Sequence, residues 1–282
     1  MAGDWPDWKW DETLFAGAAE HYERGRLPYA LGLADAFAKA LGLDGRGRLL
    51  DVGCGPGTVA LRFAHLFEEV VGVDADAGMI REAKRLAAER GVKNARWVER
   101  RAEELPAGLR NFRAVTFAAS FHWLDRPRVA AAVRDMLDPG GAAIQVDGRH
   151  HSDLTRGDGH PMPPRARIEA LRRTYLGDGR RAGRSIRNSS PDDEASVFRA
   201  AGFVGPEIVR VPDRRVIVRT IDEVVAETFS MSSTAPHLFG PRIDAFEADL
   251  RRLLADASPD GSFSVRLPDN QLSIWRPLHP GA

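Results

Sequence analysis

Apolar residues between positions 48 and 146 occur in two repeating patterns. Leu49, Leu50 and Val52 form a short apolar run that predicts a strand, and apolar positions from 59 to 67 recur at helical spacing. The same succession continues along the chain. It predicts further strands at 69–74, 96–100, 112–120 and 142–146, with helices at about 79–90 and 128–137 between them. Strands alternating with helices indicate an α/β fold.

The patterns on either side of this core predict additional elements. Helical spacing covers residues 12–25 and 30–43, and Trp5, Trp8 and Trp10 precede them as an apolar anchor or a lid. Strands at 207–211 and 215–218 are expected to pair across Pro212-Asp213, with helices over 221–255 and a last strand at 272–275. We therefore expect an N-terminal helical lid at 1–46, a nucleotide-binding core at 47–150, an inserted Arg-rich cap at 151–195, a continuation of the core at 196–220, C-terminal cap helices at 221–262 and a last core strand at 263–282.

Glycines follow the first predicted strand at every second position. Gly53, Gly55 and Gly57 separate that strand from a helix, which is the arrangement of a nucleotide-binding elbow. A dinucleotide fingerprint would need a third glycine at position 58, where the chain has Thr58. Asp51 lies two residues before the first glycine and adds an acid at the strand end.

The segment from Asp51 to Gly57 resembles motif I, D/E-x-G-x-G-x-G, of the class I S-adenosylmethionine (SAM) methyltransferases. Residues 137–141 match another family pattern, L-x-P-G-G. The resemblance implies a Rossmann-like, doubly wound, mostly parallel sheet of seven strands with the last strand antiparallel, together with N-terminal helices and a helical substrate cap. It also implies SAM as cofactor and methyl transfer to O, N or C of a small molecule, with an acidic or natural-product metabolite as the expected acceptor.

The expected cofactor site follows from spacing and from the resemblance. Asp74 lies roughly 20 residues after the glycines, where a carboxylate accepts hydrogen bonds from ribose hydroxyls, while Asp76 is better placed to cap the next helix. Residues 21–29 are similar to a family segment that closes over SAM, or form a solvated helix end. At 101–106 the usual family Asp is replaced by Arg101, so Glu103 is the expected adenine contact. The predicted cofactor residues are Tyr22, Arg26, Asp51, Gly53, Gly55, Asp74, Ala75, Met79, Ala102, Glu103, Ser120 and Phe121.

The expected acceptor site is less specific. Residues 121–125 resemble motif IV of the family, beside the transferring methyl, and His122 offers a base that titrates near neutral pH or a group that only orients the loop. Residues 229–239 are similar to the cap of the trans-aconitate methyltransferase-like group. The predicted acceptor residues are Trp123, His151, Ser232 and His237. The many arginines of 147–195 form either an anion clamp or a solvated face.

Composition narrows the choice of function. The chain has 40 basic and 40 acidic residues, which argues against a nucleic-acid partner, and no N-P-P-Y-type motif follows the fourth strand. Cys54 is the single cysteine, so no intrachain disulfide is possible. No apolar run approaches the roughly 18–20 residues of a membrane span, and we expect a cytoplasmic monomer or homodimer without a metal. A NAD-dependent oxidoreductase and a non-catalytic SAM-binding protein remain alternatives.

Overall fold

The computed structural model describes residues 11–147, 154–157, 159–182, 185–186 and 194–278. Two predictions fall outside this range. The N-terminal anchor formed by Trp5, Trp8 and Trp10 lies before it, and the acceptor contact by His151 lies in the gap after residue 147.

The strands are β1 (Arg48–Val52), β2 (Glu69–Asp74), β3 (Ala95–Glu99), β4 (Phe112–Ala118), β5 (Leu137–Asp147), β6 (Thr155–Arg156), β7 (Arg181–Ala182), β8 (Ser185–Ile186), β9 (Phe203–Val211), β10 (Val216–Thr220), β11 (Ser262–Arg266) and β12 (Asn270–Pro277). Within the described residues, seven of them form one sheet in the order β3-β2-β1-β4-β5-β12-β9. β12 runs antiparallel to both of its neighbours, and the other pairs are parallel. The predicted α/β fold with an antiparallel last strand is confirmed.

The α-helices are α1 (Ala19–Gly25), α2 (Leu33–Leu41), α3 (Thr58–Phe63), α4 (Ala77–Glu89), α5 (Arg126–Met136), α6 (Arg165–Leu176), α7 (Glu194–Ala200), α8 (Ile221–Phe229) and α9 (Ile243–Ala257). Side chains fix where several of them begin. Asp76 accepts a hydrogen bond from the Met79 N–H at 2.9 Å, as predicted, and Thr220 and Glu223 form a capping box at the start of α8.

Both faces of the seven-stranded sheet are covered by helices. Successive residues of a strand point to opposite faces, so Leu49 packs among the side chains of α2 and α3, while Leu50 packs on the face that α5 and α7 cover. β1 and β4 lie at the centre of the sheet, and their apolar residues are almost completely buried. The carboxyl ends of these central strands therefore come from a rigid core.

A second sheet corrects the predicted hairpin. β9 pairs with β12 in the large sheet, whereas β10 pairs with β11 in an antiparallel sheet of order β10-β11-β6. A tight hairpin requires residues that adopt positive φ, and Pro212-Asp213 supplies none. Instead the Asp213 carboxylate accepts hydrogen bonds from the Arg215 guanidinium at 2.6 and 2.8 Å and fixes a crossing between the two sheets. The predicted strand at 215–218 therefore lies outside the seven-stranded sheet and does not pair with the strand at 207–211.

The C-terminal cap, formed by α8, α9 and the turns between them, is stabilised by aromatic side chains. Phe229 of α8 and Phe246 of α9 pack with Phe239 from the connecting turns, and the rings of Phe239 and Phe246 stack with centroids 4.1 Å apart. The N-terminal helix α1 joins the cap at Gly25. A Cβ on this glycine would lie 2.4 Å from the backbone of Ala226, so only glycine allows the two helices to approach so closely.

Candidate functional site

The glycine loop after β1 packs closely against neighbouring side chains at two of its glycines and is uncovered at the third. Gly53, Gly55 and Gly57 have φ values of +65°, +54° and +79°, a conformation that L-residues other than glycine rarely adopt. A Cβ on Gly53 would lie 2.6 Å from Cβ of Ser120, and one on Gly57 would lie 2.3 Å from the Trp97 ring. A Cβ on Gly55 would meet no atom within 4 Å, so the loop exposes bare backbone at this residue.

Asp74 lies at the end of β2, directly beside this loop. Its Oδ2 accepts a hydrogen bond from the Gly55 N–H at 2.8 Å, and its Oδ1 accepts one from the Asp76 N–H at 2.9 Å. Burial raises the pKa of the Asp74 carboxyl to about 6. Each carboxylate oxygen has a second lone pair, so Asp74 can still accept hydrogen bonds from a diol.

Asp51 lies beneath the loop and not in the cleft. Its Oδ1 accepts a hydrogen bond from the Thr116 hydroxyl at 2.7 Å, and the residue is 1% exposed. Burial raises the pKa of the Asp51 carboxyl to about 7, although the hydrogen bond from Thr116 opposes the shift. Asp51 does not line the cleft, and its Oδ2 is buried without a hydrogen-bond partner, so the contact of this side chain with the cofactor stays a prediction.

Glu103 carries an unsatisfied oxygen at the opposite wall of the cleft. The residue is 4% exposed, and its Oε1 accepts a hydrogen bond from the Asp125 N–H at 3.0 Å. Oε2 is buried without a hydrogen bond, with the Arg101 Nε 3.6 Å away. A buried acceptor of this kind is costly unless a ligand donates to it.

These residues enclose a cleft at the carboxyl ends of β1, β2 and β4, where α/β sheets bind ligands. The cleft contains about 630 Å³ of empty space, a volume that includes open solvent. Most of the predicted cofactor residues line it. They are Tyr22, Gly53, Gly55, Asp74, Ala75, Met79, Ala102, Glu103 and Ser120.

Two further cofactor predictions have different positions. Phe121 is 2% exposed and packs in the core, where its ring stacks on Phe198 with centroids 4.7 Å apart. Arg26 lines a second cavity instead, and its Nη2 donates a hydrogen bond to the Ser230 carbonyl at 2.6 Å. Its guanidinium also lies 4.8 Å from the centre of the Tyr22 ring.

The second cavity adjoins the cleft and is larger, with about 1780 Å³ of empty space that includes open solvent. Four residues line both cavities and form a common wall: Phe15, Tyr22, Ala119 and Trp123. His122 lines the larger cavity beside this wall, and its ring centroid is 4.7 Å from that of Trp123. The predicted wall residue Trp123 and candidate base His122 are therefore neighbours at the junction.

The cap contributes one of its two predicted acceptor residues to this cavity. Ser232 lines it, together with Thr228 and Met231. His237 lines neither cavity, and its Nδ1 lies 3.1 Å from the Ala16 carbonyl oxygen. This histidine connects the cap to the N-terminal segment, so its assignment to the acceptor pocket is wrong.

Sequence reasoning missed several lining residues. Leu14 and Phe15 enter the cleft from the segment before α1, and Ala119 lies in its wall with a φ of +54°. Arg165 and Arg172 of α6 line the larger cavity, and Arg172 is 2% exposed. A solvated face is therefore wrong for the buried Arg172. The density of arginine in the sequence was the only signal, and it does not distinguish buried from exposed members.

The described part of the chain shows neither a metal-ion site nor a reactive cysteine. Within it, no cluster of His, Cys, Asp and Glu is suited to a metal ion. Cys54 is buried, and burial raises the pKa of its thiol, which disfavours the reactive thiolate. Among the same residues, no helix is both long and apolar enough to cross a bilayer.

Comparison with known proteins gives independent information. The family described as "Methyltransferase domain" matches residues 49–141. The uncharacterized methyltransferase YcgJ of Bacillus subtilis is 34% identical over 142 residues, which are 49% of this chain and 54% of YcgJ. The uncharacterized methyltransferase Rv0089 of Mycobacterium tuberculosis is 34% identical over 115 residues, which are 40% of this chain and 56% of Rv0089. The chain thus spans about half the length of the curated relatives that it matches.

Solved structures show the same fold at lower identity. The crystal structure of YcgJ has a TM-score of 0.51 and 20% identity, over 87% of this chain and 98% of that protein. The [4+2]-cyclase SpnF has a TM-score of 0.50 and 22% identity, over 88% of this chain and 81% of SpnF. A neighbour with a cyclase name illustrates that fold does not determine reaction. Residues 49–141 therefore match a methyltransferase domain, and the chain as a whole has the same fold as YcgJ.

Proposed function

We propose that the chain transfers a methyl group from SAM to a small-molecule acceptor that binds in the larger cavity. One observation carries the proposal: the cleft at the strand ends shares its wall of Phe15, Tyr22, Ala119 and Trp123 with a second, larger cavity. These four residues mark the boundary at which the two cavities adjoin. A donor in the cleft and an acceptor in the larger cavity would therefore come closest to each other beside Trp123. Bringing two reactants together in this way supplies much of the catalysis in a displacement reaction.

The cleft residues fit SAM in their chemistry. Asp74 offers carboxylate oxygens to the ribose hydroxyls, the buried Glu103 Oε2 lacks a donor that an adenine amino group would supply, and Gly55 leaves its backbone uncovered. Met79 and Ala102 contribute apolar surface for a purine. When bound, SAM supplies a methyl group on a sulfonium, which is already an activated leaving group.

His122 is the proposed base. It lines the acceptor cavity next to Trp123, and an imidazole can accept a proton near neutral pH. A hydroxyl or an acidic carbon would need such a base, whereas a carboxylate or a free amine would not. The role of His122 therefore depends on which atom of the acceptor is methylated.

The two alternatives receive less support. A dinucleotide-binding oxidoreductase would need the third glycine that Thr58 replaces. A SAM-binding protein without catalysis would need no acceptor site, yet the larger cavity opens beside the cleft.

The proposal can be tested with SAM that carries a labelled methyl group and a metabolite extract from bacteria. We expect label to appear in a small molecule and S-adenosylhomocysteine to accumulate. Binding of SAM without any transfer of label across extracts of several compositions would favour the non-catalytic alternative.

A further inference from the structure

The larger cavity contains more cationic than anionic side chains among the residues that the structure describes. Its charged lining consists of Arg26, Arg165, Arg172 and Arg180 against Asp147, Glu169 and Glu227, and His122 also faces it. Arg219 lies behind Glu227 and adds a further buried cation. Since the whole chain has no net charge, this excess of positive charge is local to the cavity.

Glu227 is shared between two of these arginines. Its Oε1 accepts a hydrogen bond from Arg165 Nη1 at 2.6 Å, and its Oε2 accepts one from Arg219 Nη1 at 2.6 Å. Arg219 also donates to the Gly25 and Glu223 carbonyls at 2.8 and 2.9 Å, which anchors it in the cap. One carboxylate thus faces two guanidinium groups, and the charge of Arg165 is only partly balanced.

Arg165 keeps one complete edge of its guanidinium unused. Nε and Nη2 are both buried without a hydrogen-bond partner, whereas Nη1 is held by Glu227. Nε–H and the adjacent Nη2–H point in the same direction and match the two oxygens of a carboxylate or phosphate in a bidentate pair. The side chain as a whole lines the cavity and is 29% exposed, so a small rotation of the guanidinium would turn this covered edge toward a ligand.

The other cavity arginines differ in how their donors are used. Arg172 donates to both carboxylate oxygens of Glu169 at 3.0 Å and to the Gly179 carbonyl at 3.2 Å, which is a structural role. Arg26 uses Nη2 on the Ser230 carbonyl and has a buried Nε without a partner, so it can give at most a secondary contact.

We propose that the acceptor is an acidic small molecule whose oxyanion, carboxylate or phosphate, binds side-on to Nε and Nη2 of Arg165. The atom that receives the methyl group then lies at the wall shared by the two cavities. This inference rests on the proposed function, because it assigns the larger cavity to the acceptor. It adds the chemical class of the acceptor and the residue that recognises it.

The test is calorimetric titration with citrate, inorganic phosphate and neutral glycerol at constant ionic strength, with and without S-adenosylhomocysteine. We expect the wild-type chain to bind at least one of the anions and not glycerol. The anion that binds more tightly identifies the source of the oxyanion. Arg165→Gln is expected to weaken anion binding tenfold or more. Arg165→Lys is expected to weaken it less, because lysine keeps the positive charge although it lacks the two parallel N–H donors of the guanidinium. The lysine variant also keeps a cation beside Glu227 should the glutamine variant fold poorly.

Arg167→Gln is the matched control. It removes the same charge from the same helix at an exposed position that does not line the cavity, so its anion affinity is expected to equal that of the wild type. Equal affinities of the Gln variants at 165 and 167, or no anion binding by the wild type, would overturn this inference alone. Failure of S-adenosylhomocysteine to bind would instead count against the proposed function.

Discussion

The cleft that we propose for the cofactor and the larger cavity that we propose for the acceptor are adjacent but are built in different ways. The cleft is formed mainly by loops that directly follow strands β1, β2 and β4, so residues close in sequence determine it. The acceptor cavity joins α1, the loop after β4, α6 and α8, which are far apart in sequence. The proposed donor site is therefore determined by short sequence segments, whereas the proposed acceptor site depends on how helices distant in sequence pack together.

The largest expected effect is on the rate of methyl transfer, through substitution of His122 in the larger cavity. If the acceptor must lose a proton, His122→Asn is expected to lower the rate of label transfer by roughly 10²–10⁴-fold, because a positioned base contributes about that much. S-adenosylhomocysteine affinity, measured by calorimetry, should be unchanged. Unaltered turnover of the variant would remove His122 as the base.

The next effect concerns the donor side. Asp74→Ala is expected to weaken S-adenosylhomocysteine binding by roughly 10–100-fold, since a hydrogen bond to a charged group contributes about 1.5–3 kcal/mol. Asp76→Ala is the control, because this neighbour caps α4 and does not line the cleft. It should cost about 1 kcal/mol of stability and leave the affinity intact. Similar loss of affinity in both variants would contradict a specific role for Asp74.

Substitutions at two glycines of the loop are expected to distinguish the effect of tight packing on stability from the effect of backbone exposure on ligand binding. Gly53→Ala is expected to lower the free energy of unfolding by roughly 2–5 kcal/mol, through a strained φ and the clash with Ser120. Gly55→Ala should cost only about 1–2 kcal/mol for its φ and should also weaken S-adenosylhomocysteine binding.

Gly91→Ala provides the control for this pair. Its φ of +66° is similar, and the added Cβ would also meet no atom within 4 Å, but the residue follows α4 and does not line the cleft. Urea unfolding and calorimetry should show a cost in stability with unchanged affinity. An affinity loss equal to that of Gly55→Ala would mean that the loop backbone does not approach the ligand.

The smallest effect is a pH dependence of stability without ligand. Burial raises the pKa of Asp51 to about 7 and that of Asp74 to about 6, above the ordinary value near 4. The folded chain therefore binds protons that the unfolded chain releases, so the contribution to stability is full below about pH 4. It is lost as pH rises through 6 and 7. Asp51→Asn should flatten the decline of urea midpoints between pH 5 and 8, and parallel curves for the variant and wild type would disprove the assignment.

The same contrast explains what the sequence predicted. The apolar runs predicted the core strands, and the spacing after the glycines predicted that Asp74 ends the second strand, because both rest on local patterns. The antiparallel last strand was implied by the resemblance to the class I methyltransferases and not by the local pattern. Asp51 and Phe121 are buried outside the lining of the cleft, and the sequence could not predict this because a motif position does not reveal whether a side chain points to the ligand or into the core. The pairing of β9 and β10 was wrong since strand partners depend on the whole chain, and Arg165 was hidden among many similar arginines.

The most direct test of the account is titration of the purified chain with S-adenosylhomocysteine and, separately, with NADH. We expect one site for S-adenosylhomocysteine per chain, weakened by Asp74→Ala and unaffected by Asp76→Ala, and no measurable binding of NADH. Binding of NADH without binding of S-adenosylhomocysteine would contradict the assignment of the cleft to SAM.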